Sequence, residues 1–141
     1  MSDPRQTENP FIGNAVLPWL AAVLWAALIF YLSARPSLKT NWGVWDFILR
    51  KAAHMAEFAA LSLLLWNAIR RRGMAFSRAL ALAAAAAFLY ACSDEFHQRY
   101  VPGRTGSFRD VAIDSAGIIV MGFIIFRLRP KKTAPAKVAV R

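Results

Sequence analysis

Long apolar runs alternate with short basic or proline-bearing breaks along the chain. Residues 11–34 include no charged side chain. At about 1.5 Å per residue, a helix of that length exceeds a bilayer core of roughly 30 Å. This predicts a first transmembrane helix, retained rather than cleaved, because its apolar part is longer than the core of a signal peptide. Arg35-Pro36 ends it, since proline disfavours helical backbone at the residue before it. A second run, residues 46–69, holds Arg50, Lys51, His54 and Glu57 in its first half and stops at Arg70-Arg71-Arg72-Gly73. A third, residues 79–93, is too short to span unless Asp94 to Gln98 continue it. A fourth, residues 115–126, is equally short unless Asp110 and Asp114 belong to it.

The expected fold is therefore all-α: a four-transmembrane-helix bundle over residues 11–127. Residues 1–10, with Pro4 and Pro10, read as a disordered tail, and residues 128–141 as a basic C-terminal tail. An up-and-down bundle puts eleven lysines and arginines on the side of the two termini and seven on the other. The positive-inside rule then places both termini in the cytoplasm. Trp42 and Trp45 fall just beyond the first run, where an interfacial aromatic belt is expected.

Composition agrees with this picture. The chain is 57% hydrophobic with a net charge of +10. A soluble domain of 141 residues cannot easily hide so much apolar surface. The charge does not indicate nucleic-acid binding, because the basic residues flank apolar runs. The single cysteine, Cys92, excludes an internal disulfide and reads as a packing residue. There is no internal repeat, zinc-type cysteine spacing or phosphate-binding glycine loop. The alanines at 83–87 predict close helix packing.

Polar residues inside such runs need a reason, since a charge at mid-bilayer costs at least about 2.5–3.5 kcal/mol. Counted from the cytoplasmic helix ends at about 1.5 Å per residue, Glu57 and Asp114 lie near 18 Å, His54 and Asp94 near 22 Å, and Asp110 near 24 Å. Three helices thus place ionisable groups in one outer layer. Lys51, His54 and Glu57 at i, i+3, i+6, Asp94 and His97 at i, i+3, and Asp110, Asp114 and Gly117 at i, i+4, i+7 are each expected on one helical face. The second and fourth helices begin on this side, where helix N-termini favour anions.

The candidate catalytic residues are His54, Glu57, Asp94, Glu95 and His97. The candidate substrate-binding residues are Lys51, Gln98, Arg104, Asp110 and Asp114. Each has a structural alternative. Ser107-x-x-Asp110 fits a capping box, so Asp110 can serve as a cap only. Asp114 can pair with an arginine or lysine, and His54 with Glu57 can form an interhelical hydrogen bond. Asp94 and Glu95 can sit at an interfacial helix end, and Arg104 in a solvated turn.

These residues resemble the VanZ-like family of small bacterial membrane proteins. The resemblance runs over roughly residues 15–127. It rests on Tyr31-Leu32-Ser33, Lys51-x-x-His54-x-x-Glu57-Phe58, Ser93-Asp94-Glu95-Phe96-His97-Gln98, Pro102-Gly103-Arg104 and Asp110-x-x-x-Asp114-x-x-Gly117. The chain departs from the family at Asp114, where asparagine is frequent. The resemblance implies a multi-pass protein of the bacterial cytoplasmic membrane, part of the cell envelope, with four helices. It also implies a link to glycopeptide (teicoplanin) resistance through the family's namesake.

Three functions suit these residues. In the first, the outward-facing site binds and acts on an anionic lipid or lipid-linked envelope precursor. His54 or His97 is then the general base, Asp94 or Glu95 orients it or acts as an acid, and Arg104 holds the phosphate. In the second, the same site binds the lipid or alters the envelope without chemistry. In the third, His54, Glu57, Asp94 and His97 hold a divalent metal in a membrane enzyme. Otherwise no cofactor is expected. The expected partner is a membrane lipid or lipid-linked precursor, not nucleic acid, and no oligomeric state follows.

Overall fold

A computed structural model describes residues 16–36 and 43–129. The expected N-terminal tail, Trp42 and the C-terminal tail from residue 130 lie outside the described residues. Among the described residues four helices form: α1 Val16–Ser33, α2 Val44–Arg70, α3 Phe76–Gln98 and α4 Phe108–Arg127. No strand occurs among the described residues. The two short apolar runs are completed by their polar neighbours. α3 continues through Asp94 to Gln98, and α4 begins early enough to include Asp110 and Asp114. α1, α2 and α3 are each long and apolar enough to cross a membrane. α4 stands outside that set, with Arg109, Asp110, Asp114 and Arg127 in 20 residues.

Side-chain contacts fix the directions. The last turn of α1 meets the last turns of α3, where the Ser33 hydroxyl donates to Asp94 and Phe30 packs on His97. The start of α2 meets the start of α4 through Lys51 and Asp110. At the opposite end, Trp66 of α2 packs edge-on against Phe76 of α3. The bundle therefore runs up-down-up-down. The ends of α1 and α3 and the starts of α2 and α4 share one end, hereafter the polar end. α2 is the hub and touches all three other helices, while α1 packs on α2 and α3 only.

Small residues bring the helices close. Ala79, Ala83, Ala87 and Ala91 recur every four residues on α3 and are fully buried, so this stripe is a packing face. Phe58, Leu61, Ile29 and Ile118 fill the core around Ala87 and Ala91. Elsewhere the surface is oily: Leu17, Val23, Leu24, Leu89 and Ile119 are all exposed, as lipid-facing positions should be. At the end opposite the polar end, arginines lie over aromatic rings: Arg70 over Trp66, Arg72 over Trp19 and Arg127 over Phe123. Rings and guanidinium groups combined in this way suit the lipid–water interface.

One glycine sets the tightest crossing. A Cβ on Gly117 of α4 would run into the main-chain carbonyl of Met55 on α2. Gly117→Ala is expected to destabilise the protein by about 1–3 kcal/mol through overpacking. Gly122→Ala, one turn away with nothing within 4 Å of the new methyl, should be neutral or slightly stabilising. Denaturation midpoints of the two variants in detergent check this. Equal midpoints would remove the close crossing as a constraint.

Candidate functional site

Two of the three helical sets behave as the spacing predicts, and one does not. Asp110, Asp114 and Gly117 form a narrow stripe on α4, because steps of four and three residues nearly close whole turns. All three positions face α2. Asp110 pairs with Lys51, Asp114 Oδ1 lies 3.5 Å from His54 Nδ1, and Gly117 abuts Met55. Lys51, His54 and Glu57 do not share one face. Each step of three residues falls about 60° short of a turn, so the set fans across α2. Lys51 and His54 face α4, whereas Glu57 lines a cleft toward α1.

α3 splits its polar residues between two neighbours. Asp94 is 3% exposed, and its Oδ2 accepts from Ser33 Oγ at 2.8 Å and from Gln98 Nε2 at 2.7 Å. Glu95, also 3% exposed, turns toward α4, where its Oε2 accepts the Ser107 N–H at 2.9 Å. Ser107 is the N-cap of α4, and its hydroxyl accepts from the Asp110 N–H. A capping box therefore exists, but with an exchanged partner. Glu95 from α3 supplies the carboxylate that satisfies the cap's own N–H, a role the sequence assigns to Asp110. Asp110 is released to hold Lys51.

His97 stands apart. Its ring packs on Phe30 with centroids 4.6 Å apart, so it faces α1 rather than His54. Of the two histidines, His54 is the one in contact with a carboxylate. The metal set expected from His54, Glu57, Asp94 and His97 is not assembled. Donor atoms of His54, Glu95 and Asp114 converge instead, all within 4.8 Å of one another. Asp94 already holds Ser33 and Gln98 through one oxygen.

Arg104 follows a type II turn. Pro102 supplies the first central residue, Gly103 takes the positive φ of 79° that the second requires, and Arg104 N–H closes on Val101 O. The turn sends the guanidinium back across the polar end. It donates to Leu32 O at 2.9 Å, Arg35 O at 2.8 Å and Gln98 Oε1 at 3.4 Å. Two of those acceptors are carbonyls at the end of α1, where Leu32 O also accepts the Arg35 N–H at 3.2 Å. Arg104 is thus a cap for α1 and also lines two open clefts. One, about 350 Å³, lies between α1 and α2 with Ser33, Arg35, Arg50, His54 and Glu57 on its walls. The other, about 200 Å³, lies between α2 and the 103–105 turn and includes Arg50, Lys51, His54 and Asp110.

Sequence reasoning left Ser33, Arg50 and Ser107 outside the candidate site, while Arg35 was expected beside Arg104 at its mouth and does line the same cleft. Ser33 had a signal: it is a polar side chain closing an otherwise uncharged run. Ser107 was legible as a cap, but not its long-range partner, because Glu95 is 12 residues away.

Fold and site together define a polytopic helical membrane protein with a buried polar cluster opening at one end. A family model described as VanZ/LLP1 matches residues 17–129, and the chain belongs to the VanZ/LLP1 family. Comparisons with curated proteins and with solved structures gave no match.

Proposed function

We propose that the polar end binds an anionic lipid, or a lipid-linked envelope precursor, by its head group. The observation behind this reading is the cleft between α1 and α2. It gathers Arg35, Arg50, which is paired with Asp46 on the same wall, and Arg104, which also holds the end of α1, beside His54 and Glu57, at the rim of helices whose outer faces are oily. About 350 Å³ suits a phosphate-sized group with its first attached unit. Guanidinium groups match phosphate oxygens in charge and geometry. The start of α2 adds the positive end of its helix dipole. The acyl or prenyl tail then lies along the exposed apolar faces. In this reading the site faces outward from the bacterial cytoplasmic membrane, as the distribution of basic residues argues.

His54 and Glu57 on the cleft floor favour a second reading, in which the bound lipid also reacts. In that reading His54 takes a proton from a water attacking the head-group phosphorus, the P–O bond to the leaving group breaks, and Glu57 as the acid gives a proton to the departing oxygen. The implied link to glycopeptide resistance follows from either reading, through altered envelope precursors.

The test is binding in nanodiscs of a polyprenyl phosphate against the same polyprenol without its phosphate. The phosphorylated lipid is expected to bind preferentially. Arg35→Gln with Arg50→Gln should weaken it about tenfold or more, the effect of losing charge-assisted hydrogen bonds. His54→Gln should leave binding intact and abolish turnover if chemistry occurs. Equal binding of the two lipids would defeat the proposal.

A further inference from the structure

Below the cleft, on the α4 side of α2, a group of buried polar atoms has no hydrogen-bond partner. Asp114 is 0% exposed, and neither of its carboxylate oxygens is bonded. Glu95 Oε1 and His54 Nδ1 are likewise buried and unpartnered. The three residues come from three helices, and one donor atom of each lies within 4.8 Å of the others. In a low-dielectric interior, each carboxylate left this way is strongly disfavoured.

The neighbouring cations are committed elsewhere. Lys51 is paired with Asp110, and the guanidinium of Arg104 donates to α1 carbonyls and to Gln98. The contact between His54 Nδ1 and Asp114 Oδ1 is 3.5 Å, too long for a good hydrogen bond. It is the right separation for two ligands of one ion. Ligand atoms about 2.1 Å from a metal lie roughly 3–4 Å apart, so a pair at the 4.8 Å limit must close by about 1–2 Å.

The second oxygen of Glu95 strengthens the case. It is fixed by the Ser107 N–H, which aims the free oxygen, as groups behind a ligand do in metal sites. Gly117 has the same effect on α4, since it lets Asp114 approach α2 closely. We infer that His54, Glu95 and Asp114 form a three-ligand site for a divalent transition-metal ion, of the one-nitrogen, two-carboxylate kind that suits Mn²⁺ or Zn²⁺. Three protein ligands leave coordination positions open. His54 also lines both clefts, so an open position can be reached from the polar end.

This inference is independent of the head-group reading, because the metal is measured with no lipid ligand added. Full-length protein in detergent is stripped with a chelator, dialysed against micromolar Zn²⁺ or Mn²⁺, freed of unbound ion and analysed for metal. About one equivalent per chain is expected, with a rise in melting temperature on loading. Glu95→Gln and Asp114→Leu should lose both effects while keeping the helical circular dichroism of the stripped protein. His97→Ala should keep both. Loading wild type with Co²⁺ gives a readout that needs no variant: visible bands stronger than those of the hydrated ion. Sub-stoichiometric Zn²⁺ and Mn²⁺ in wild type, one equivalent retained in both ligand variants, or a Co²⁺ spectrum identical to that of the hydrated ion would each overturn the site.

Discussion

Asp94→Leu is expected to destabilise the protein by about 3–5 kcal/mol, whereas Asp94→Asn should cost far less. The reason is the use of a single oxygen. Asp94 Oδ2 accepts from both Ser33 and Gln98, and Oδ1 accepts nothing. An asparagine can place its carbonyl at the Oδ2 position and keep both bonds, with its amide where no partner is displaced. Leucine removes the acceptor, leaving the buried Ser33 O–H without one and the Gln98 amide with only its 3.4 Å bond to Ser33 Oγ. It also loosens Gln98, whose other end accepts from Arg104. The end of α1 is held at this point by Ser33 and by the Arg104 donations to its carbonyls, so the loss should spread to α1. Melting of the detergent-solubilised variants reads this directly, as a fall of roughly 10 °C for leucine. If asparagine is as damaging as leucine, the charge itself is essential to folding and the one-oxygen account is wrong. If asparagine melts like wild type but loses function, Asp94 acts chemically.

Lys51→Met should be nearly as severe, and its effect should be reversed in part by a second change. Lys51 and Asp110 are both mostly buried and join the first turns of α2 and α4. Removing the lysine strands a mostly buried carboxylate, at a cost of about 3 kcal/mol. Asp110→Leu in the same chain removes the stranded charge. The Ser107 hydroxyl caps the backbone N–H of residue 110, not its side chain, so the helix start survives the change. The double variant should therefore be more stable than Lys51→Met alone, and a double-mutant cycle should give a coupling of about 2 kcal/mol or more. Additive losses would mean that the pair is solvated and contributes little.

Much of this was legible in the residues. Uncharged length gave α1, and the need for a spanning length correctly drew Asp94 to Gln98 into α3 and Asp110 and Asp114 into α4. Depth counting put His54 and Asp114 in one outer layer, but it matched Asp114 in depth with Glu57 and His54 with Asp94, whereas the contact that forms is His54 with Asp114. Rotation about each helix was harder. A heptad-like i, i+4, i+7 set keeps its face, but the i, i+3, i+6 set drifts, so Glu57 parted from Lys51. Residues 94 and 95 are adjacent and so point in directions about 100° apart, one to α1 and one to α4. Periodicity says nothing about which neighbour each will meet. That choice depends on packing around the alanine face of α3, which places α1 on one side and α4 on the other.

The exchange of partners at the α4 cap bears on biogenesis. α4 is the helix least able to enter a bilayer alone, and its acids find Lys51 and His54 on α2. Even its first turn is completed by Glu95 of α3. Both hosts precede it in the chain, so its partners have already been synthesised when α4 emerges from the ribosome. Docking on α2 and α3 thus satisfies polar groups that α4 would otherwise carry unpaired. The polar cluster that serves the finished protein also acts as the receptor that admits its final segment.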